Sequence, residues 1–304
     1  MSRRAGVGIQ VQSIATRCMV VPTFVGIGVP RAGTTWLHEL LASHREVYMP
    51  MRRKELSFFD LHYDRGAVWY RKFFPSERDV SRYRALGEIT PYYFYCPDCP
   101  QRIASLGVQK LVLVLRNPVD RAWSYYAQKI RNGMYRGSFE DFLGQSRWPV
   151  IDQGHYSRYL RRYLEHFDQR QILVLVFERA LADVEGTKQT LARFLGISDA
   201  GFARDVQEPV NSSYVPRTPR LYGLAFRASK VLRHHDLDWV VNLAKRIGVR
   251  QAFGAIGKVP PMRPDTRSRL EEMFQAEILE LENLLQVTLD PWKTRAVAQQ
   301  DASS

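Results

Sequence analysis

Cysteine is scarce in this chain: Cys18, Cys96 and Cys99 are the only three in 304 residues. An odd number, with two of them in the loop-like "CPDC", builds neither a disulfide framework nor a four-ligand zinc site. No apolar run approaches the ~20 residues that a membrane-spanning helix requires. The histidines, His38, His44 and His155 among them, lack metal-ligand spacing, so no metal is implied. Internal repeats, low-complexity blocks and Gly/Ser linkers are also missing, which excludes solenoids and flexible multidomain arrays. No helix-turn-helix, zinc finger or RNP pattern accompanies the basic clusters "MRRK" and "RYLRRY", and nucleic acid is not an expected partner. No acid precedes Glu39, while Arg3, Arg4 and Arg17 do. The short apolar stretch after Cys18 is broken by Pro22 and runs into a glycine motif, which suits a first strand better than a targeting segment. The cytoplasm is the expected compartment.

With 45% hydrophobic residues the chain can bury a substantial core, and its net charge of +13 calls for an anionic ligand or partner. "FVGIGV" (Phe24–Val29), "KLVLVL" (Lys110–Leu115) and "ILVLVF" (Ile172–Phe177) are unbroken apolar runs of strand length. Such runs mark strands buried on both faces of a parallel sheet. Helical patterns over Trp36–Ser43, Pro118–Arg131 and Thr187–Leu195 alternate with them. A last helix carries Leu270, Met273, Phe274, Ile278, Leu281 and Leu285 on one face. The fold class expected is α/β: a single P-loop-NTPase-like domain, with a central parallel sheet flanked by helices. The expected layout is an extension over 1–22, the domain over 23–295 and a tail over 296–304. Between Asn211 and Pro264 the prolines predict loops or an elaboration over the sheet's active edge, without a clear strand.

Gly28 and Gly33 stand at the G-x-x-x-x-G spacing of a phosphate loop, but Thr34 occupies the position of its lysine and Thr35 follows. The glycines allow close backbone approach, and a helix starting near Thr35 aims free N–H groups at an anion. A nucleoside triphosphate would lose the charge that bridges its terminal phosphates. The strand ends supply no Asp for magnesium, only Arg116 and the weak substitute Glu178. In "RNPVDRAWSYY" Arg116 leaves the second strand, Asn117 can cap, Pro118 suits the first helical position, and Ser124 lies two turns in. Two anion sites, one with Arg31 and one with Arg116 and Ser124, call for a ligand with two separated anionic groups.

"PRAGTTWL" (Pro30–Leu37) and "LRNPVDRAWSYY" resemble the 5'-phosphosulfate loop and the 3'-phosphate motif of the sulfotransferase superfamily. "KELSFFD", "GEITPYYF", "FERALAD" and "RFLGI" extend the likeness over most of the chain. The motif style is that of the heparan-sulfate, glycan-type and bacterial members. The resemblance implies a P-loop-like fold, 3'-phosphoadenosine 5'-phosphosulfate (PAPS) as co-substrate without metal, and a hydroxyl-bearing glycan, lipid or small molecule as acceptor. Donor contacts would come from Arg31, Ala32, Gly33, Thr34, Thr35 and Trp36, from Arg116 and Ser124, and from a late basic loop with Arg217. Many relatives carry Lys where this chain has Arg31. Its very high pKa makes arginine a poor acid, so its role is charge stabilisation of a leaving phosphate, whose second pKa is about 6.

"KELSFFD" resembles the E-x-H-F-F-D motif, which implies Glu55 as general base and Asp60 as the final aspartate, with Ser57 in the histidine position. Glu88 is the second candidate, and Ile89 replaces the lysine of the glycan enzymes' E-K-T-P. The aromatic run Tyr92–Tyr95 suits either an acceptor cleft or core. Two other classes fit parts of the sequence: a P-loop kinase or nucleotide hydrolase, and a non-enzymatic polyanion-binding module.

Overall fold

The computed structural model describes residues 21–203, 214–216, 219–234, 237–246 and 255–293. Five parallel strands form the central sheet: β1 (Phe24–Gly28), β2 (Val47–Tyr48), β3 (Ala85–Ile89), β4 (Lys110–Leu115) and β5 (Ile172–Val176), in the order β2-β3-β1-β4-β5. Phe24 pairs with Gly87 on one side and Lys110 on the other, and Leu111 pairs with Ile172. β1 and β3 are buried at every residue, as the uninterrupted apolar run of β1 requires.

Helices pack against the sheet: α1 (Thr34–Ala42), α2 (Phe58–Leu61), α3 (Gly66–Arg71), α4 (Cys99–Ser105), α5 (Pro118–Arg131), α6 (Phe139–Leu143), α7 (Tyr156–Leu164), α8 (Phe177–Ala182) and α9 (Val184–Leu195). α10 (Pro219–His234), α11 (Asp238–Arg246) and α12 (Pro264–Leu285) follow. In α12 the apolar face is as expected for Leu270, Phe274, Ile278 and Leu281, which are buried, but Met273 is exposed. A second apolar cluster joins α5 and α6 to α12 through Tyr126, Phe139, Phe142 and Phe274. Each such ring buried contributes about 1.5–3 kcal/mol of transfer free energy.

The stretch expected to hold loops or an elaboration without a clear strand contains, among its described residues, helices and a two-stranded ribbon. α10 and α11 occupy much of it, and Tyr214–Pro216 (β6) pairs antiparallel with Ala255–Lys258 (β7). The prolines do not break these elements because Pro216 ends β6, Pro219 opens α10, and Pro260, Pro261 and Pro264 follow β7. The stretch around Cys18, the tail from residue 296, and Arg217 lie outside the described residues.

The order of strands puts β1 between β3 and β4, so the loops leaving β1 and β4 open into the crevice beside the central strand. That is where open α/β sheets hold ligands.

Candidate active site

The first loop is shaped by backbone that glycine makes accessible. Gly33 caps α1 with φ of 82°, and a Cβ there would come within 2.3 Å of the Phe177 ring, so both conformation and space select glycine. The first helical bond runs from Leu37 N–H to the Gly33 carbonyl, at 3.0 Å. The N–H groups of Thr34, Thr35 and Trp36 precede it and have no acceptor within the helix, the arrangement that favours an anion. Ala32, Thr34 and Trp36 are buried, whereas Thr35 is exposed. Arg31 sits in the left-handed region, φ 74°, and its side chain crosses toward α5.

There the two anion motifs meet. Arg31 Nε and Nη2 donate to Ser124 Oγ at 3.1 and 3.0 Å. Arg116 Nη1 donates to the Arg31 carbonyl at 3.1 Å, and its guanidinium lies 5.0 Å from the centre of the Phe177 ring. Arg116 Nε is buried with no hydrogen-bond partner among the described residues, an unsatisfied donor. Asn117 caps α5 as its position suggests, accepting from Val119 N–H at 2.9 Å and Asp120 N–H at 3.3 Å. Arg31 and Ser124, which the sequence assigns to two separate anion sites, are thus in direct contact, with Arg116 bonded to the Arg31 carbonyl.

The electrostatics are those of a site that awaits an anion. Burial, and then the positive charges of Arg131 and Arg116, lower the Arg31 pKa to about 10. It remains fully charged near neutrality, and among the described residues it has no carboxylate partner. Two guanidinium groups thus repel the Arg31 charge, and phosphate or sulfate oxygens entering beside it would relieve that repulsion. Arg131, at the end of α5, was not expected from the sequence; its only signal was its place one helix length beyond Arg116.

Glu178, the weak magnesium candidate, is used otherwise. Its carboxylate accepts from Asn117 N–H at 3.0 Å and Trp292 Nε1 at 2.9 Å, locking α8 to the start of α5.

On the other side of the loop, Lys54 Nζ donates to Thr35 Oγ1 at 2.6 Å and lies 3.9 Å from Glu55 Oε1. Lys54 therefore carries the exposed Glu55 carboxylate to the first turn of α1. Nothing in the sequence singles out Lys54 as a functional residue. The other neighbour, Arg53, turns away and binds Asp238 at the start of α11, with Nη2 to Oδ2 at 2.7 Å. The aromatic run divides: Tyr93 and Phe94 are core, whereas Tyr92 is 40% exposed and donates to Tyr125 Oη at 3.3 Å. Tyr92 faces both Glu55 and Arg31, and burial pushes its phenol well above the usual range.

Glu88 is fully buried at the end of β3 and does not face the loop. Tyr93 Oη donates to it at 2.7 Å, Thr90 Oγ1 at 2.8 Å and Tyr70 Oη at 3.3 Å. The same Tyr93 oxygen accepts from Phe58 N–H at 2.8 Å, and Thr90 Oγ1 accepts from Ser57 N–H at 3.2 Å. Glu88 is the root of a network that fixes the backbone directly after Glu55. Burial raises its pKa to about 7 against the three donors, which lower it.

Known proteins match more than half of this chain. Human heparan sulfate glucosamine 3-O-sulfotransferase 3B1 is 34% identical over 186 residues, 58% of this chain and 46% of that protein. Mouse bifunctional heparan sulfate N-deacetylase/N-sulfotransferase 4 is 27% identical over 200 residues, 60% of this chain and 23% of that protein. The chain spans about half the length, or less, of these relatives. A crystal structure of a sulfotransferase from Alicyclobacillus acidocaldarius superposes with a TM-score of 0.65 at 23% identity, covering 90% of this chain and 99% of that one, and shares the fold. The model of the sulfotransferase domain matches residues 22–215, more than half of the chain, and the protein belongs to the sulfotransferase family, enzymes of sulfuryl transfer.

Proposed function

We propose that the protein moves the sulfuryl group of PAPS to a hydroxyl of an acceptor, with Arg31 as the charge-stabilising residue and Glu55 as the base. The bond from Arg31 to Ser124 carries this reading. It joins the loop after β1 to the motif after β4, so that one bis-anionic ligand can touch both. The chain's residues fit such a donor: N–H groups of Thr34 to Trp36 and the Arg31 guanidinium for the phosphosulfate end, and Ser124 with the unsatisfied Arg116 Nε for the 3'-phosphate. PAPS supplies an activated sulfuryl group whose departing phosphate needs no proton, which suits an arginine. Glu55 receives the proton of the acceptor hydroxyl while Lys54 holds it beside the loop. Rate enhancement then comes from positioning and preorganised charge, as in phosphoryl transfer.

The named relatives act on heparan sulfate, which favours a glycan acceptor. Ser57 and Ile89, where the glycan enzymes carry His and Lys, weaken the case for an acidic heparan-type chain and keep a lipid, a nodulation-like oligosaccharide or a small natural product as acceptor classes.

Thermal shift with 3'-phosphoadenosine 5'-phosphate tests the donor. Stabilisation without magnesium is expected, by about 2.7 kcal/mol at one hundred times Kd. Stabilisation by ATP with magnesium alone would instead identify a kinase or hydrolase. Transfer of labelled sulfate from PAPS into an extract, followed by identification of the labelled compound, then names the acceptor.

A further inference from the structure

Cys96 and Cys99 lie at the start of α4 and take no part in the chemistry above. Cys96 ends the 3-10 turn Pro91–Tyr95, its N–H donating to the Tyr93 carbonyl at 3.1 Å, and Cys99 opens α4. Pro97 and Asp98 form the turn between them. A four-residue turn keeps its end Cα atoms within about 7 Å, inside or close to the range a disulfide spans. The two thiols are unequally placed: Cys96 is half-buried, whereas Cys99 is fully enclosed. The Cys99 thiol and the backbone N–H groups of Asp98 and Cys99 are the neighbours that favour the Cys96 thiolate.

We propose that Cys96 and Cys99 form a reversible dithiol–disulfide site, with Cys96 as the attacking thiol, Cys99 as the resolving thiol and a glutathione-type disulfide as the oxidant. The Cys96 thiolate attacks one sulfur of the oxidant, forming a mixed disulfide and releasing one thiolate. Cys99 then gives up its proton and displaces the second thiol as the Cys96–Cys99 bond closes. Two protein thiols are oxidised and one disulfide is reduced to two thiols, so atoms and electrons balance.

The local donors support this division of labour. They bring the Cys96 thiol down to about 6, with Cys99 the largest influence, against an opposing effect of burial, and they hold the Cys99 proton in place. Asp60 acts on both sulfurs in the direction of protonation, Arg102 favours the Cys99 thiolate, and Tyr163 packs close to both. Arg102 also ties the turn to the segment after Glu55, donating to the Phe59 carbonyl at 2.7 Å and to Asp98 Oδ2 at 2.8 Å.

The test uses the full chain with Cys18→Ser, so that only the pair reports. In oxidised glutathione the peptide carrying both cysteines should become lighter by two hydrogens, carry no glutathione, and return to two thiols with dithiothreitol. Cys99→Ser should stop at a glutathione adduct on Cys96, and Cys96→Ser should form no adduct on the enclosed Cys99. With both cysteines intact, alkylation at about pH 5.5 should label Cys96 at least about tenfold faster than an ordinary thiol, the higher thiolate fraction outweighing the lower intrinsic nucleophilicity. Two free thiols after oxidation, or an adduct on Cys96 that Cys99 never resolves, would overturn the proposal.

Discussion

Arg31 and Ser124 lie 93 positions apart, and two nitrogens of one guanidinium grip the one hydroxyl. Their contact turns two separate anion motifs into a single site, and it places the loop's positive charge between them. Replacing Arg31 with Ala should reduce turnover by about 10²–10³-fold, the loss typical of a removed charge-stabilising donor. Arg31→Lys keeps the charge and should retain much of the activity, although lysine cannot span Ser124 with two donors. Steady-state kinetics with saturating donor distinguish the two variants. An alanine variant with unimpaired turnover would remove Arg31 from the mechanism.

Ser124 is buried at 6% exposure, so its hydroxyl is not replaceable by water at low cost. Ser124→Ala should weaken binding of 3'-phosphoadenosine 5'-phosphate by roughly tenfold to a hundredfold, since hydrogen bonds to charged groups contribute about 1.5–3 kcal/mol. The analogue lacking the 3'-phosphate should bind wild type and variant alike. Calorimetric titration of both ligands checks this, and equal losses for the two would mean that Ser124 acts only through Arg31.

Local sequence made the loop, Arg116, the Asn117 cap and Ser124 legible because each belongs to a continuous motif whose backbone geometry follows from its own Gly, Pro and Asn. β1, β4 and β5 were legible for the same reason, as apolar runs. β3 was not: "ALGEI" contains a glycine and a glutamate. Gly87 is there because the Phe24 ring occupies the space, a Cβ meeting it at 2.1 Å, and Glu88 is tolerated because tyrosines from α3 and from the turn after β3 donate to it. Only tertiary contacts show this. The contact between Lys54 and Thr35 is likewise invisible to periodicity, as is the division of the aromatic run into core Tyr93 and site-facing Tyr92. Between 211 and 264 the prolines mark the ends of helices and of a ribbon, which local sequence alone does not distinguish from loops.

Glu55 should be separable from donor binding. Glu55→Gln keeps the shape of the side chain and the approach to Lys54 but cannot take a proton, so turnover should fall by about 10²–10⁴-fold, the range for general base catalysis. Affinity for 3'-phosphoadenosine 5'-phosphate should stay within about twofold. Lys54→Met should act on both: Thr35 Oγ1 loses its donor and Glu55 its tether, so turnover should fall, but by less than in Glu55→Gln. Normal turnover in Glu55→Gln would move the base elsewhere, and Glu88, enclosed and facing away from the loop, is badly placed to replace it.

Glu88 gives the last prediction, and its sign is opposite to that of an ordinary paired carboxylate. Its pKa is raised from 4.5 to about 7, because the loss of water around the charge outweighs the hydrogen bonds from Tyr93, Thr90 and Tyr70. Between these two values the folded protein holds a proton that the unfolded chain has released. Stability from this group is therefore fully present below about pH 4.5 and is lost as pH rises through about 7, by roughly 3 kcal/mol over the interval. Glu88→Gln is neutral at every pH, can still accept from the hydroxyls, and should abolish this slope. Subtracting the denaturation free energies of variant and wild type from pH 4 to 8 isolates the effect from the other titrating groups. The difference should grow in favour of the variant as pH rises, whereas a constant difference would mean that the Glu88 pKa is the same in the folded and unfolded chain. If Glu88 also steadies the backbone after Glu55, turnover in Tyr93→Phe should fall while donor affinity holds, since Phe58 N–H loses its acceptor at 2.8 Å.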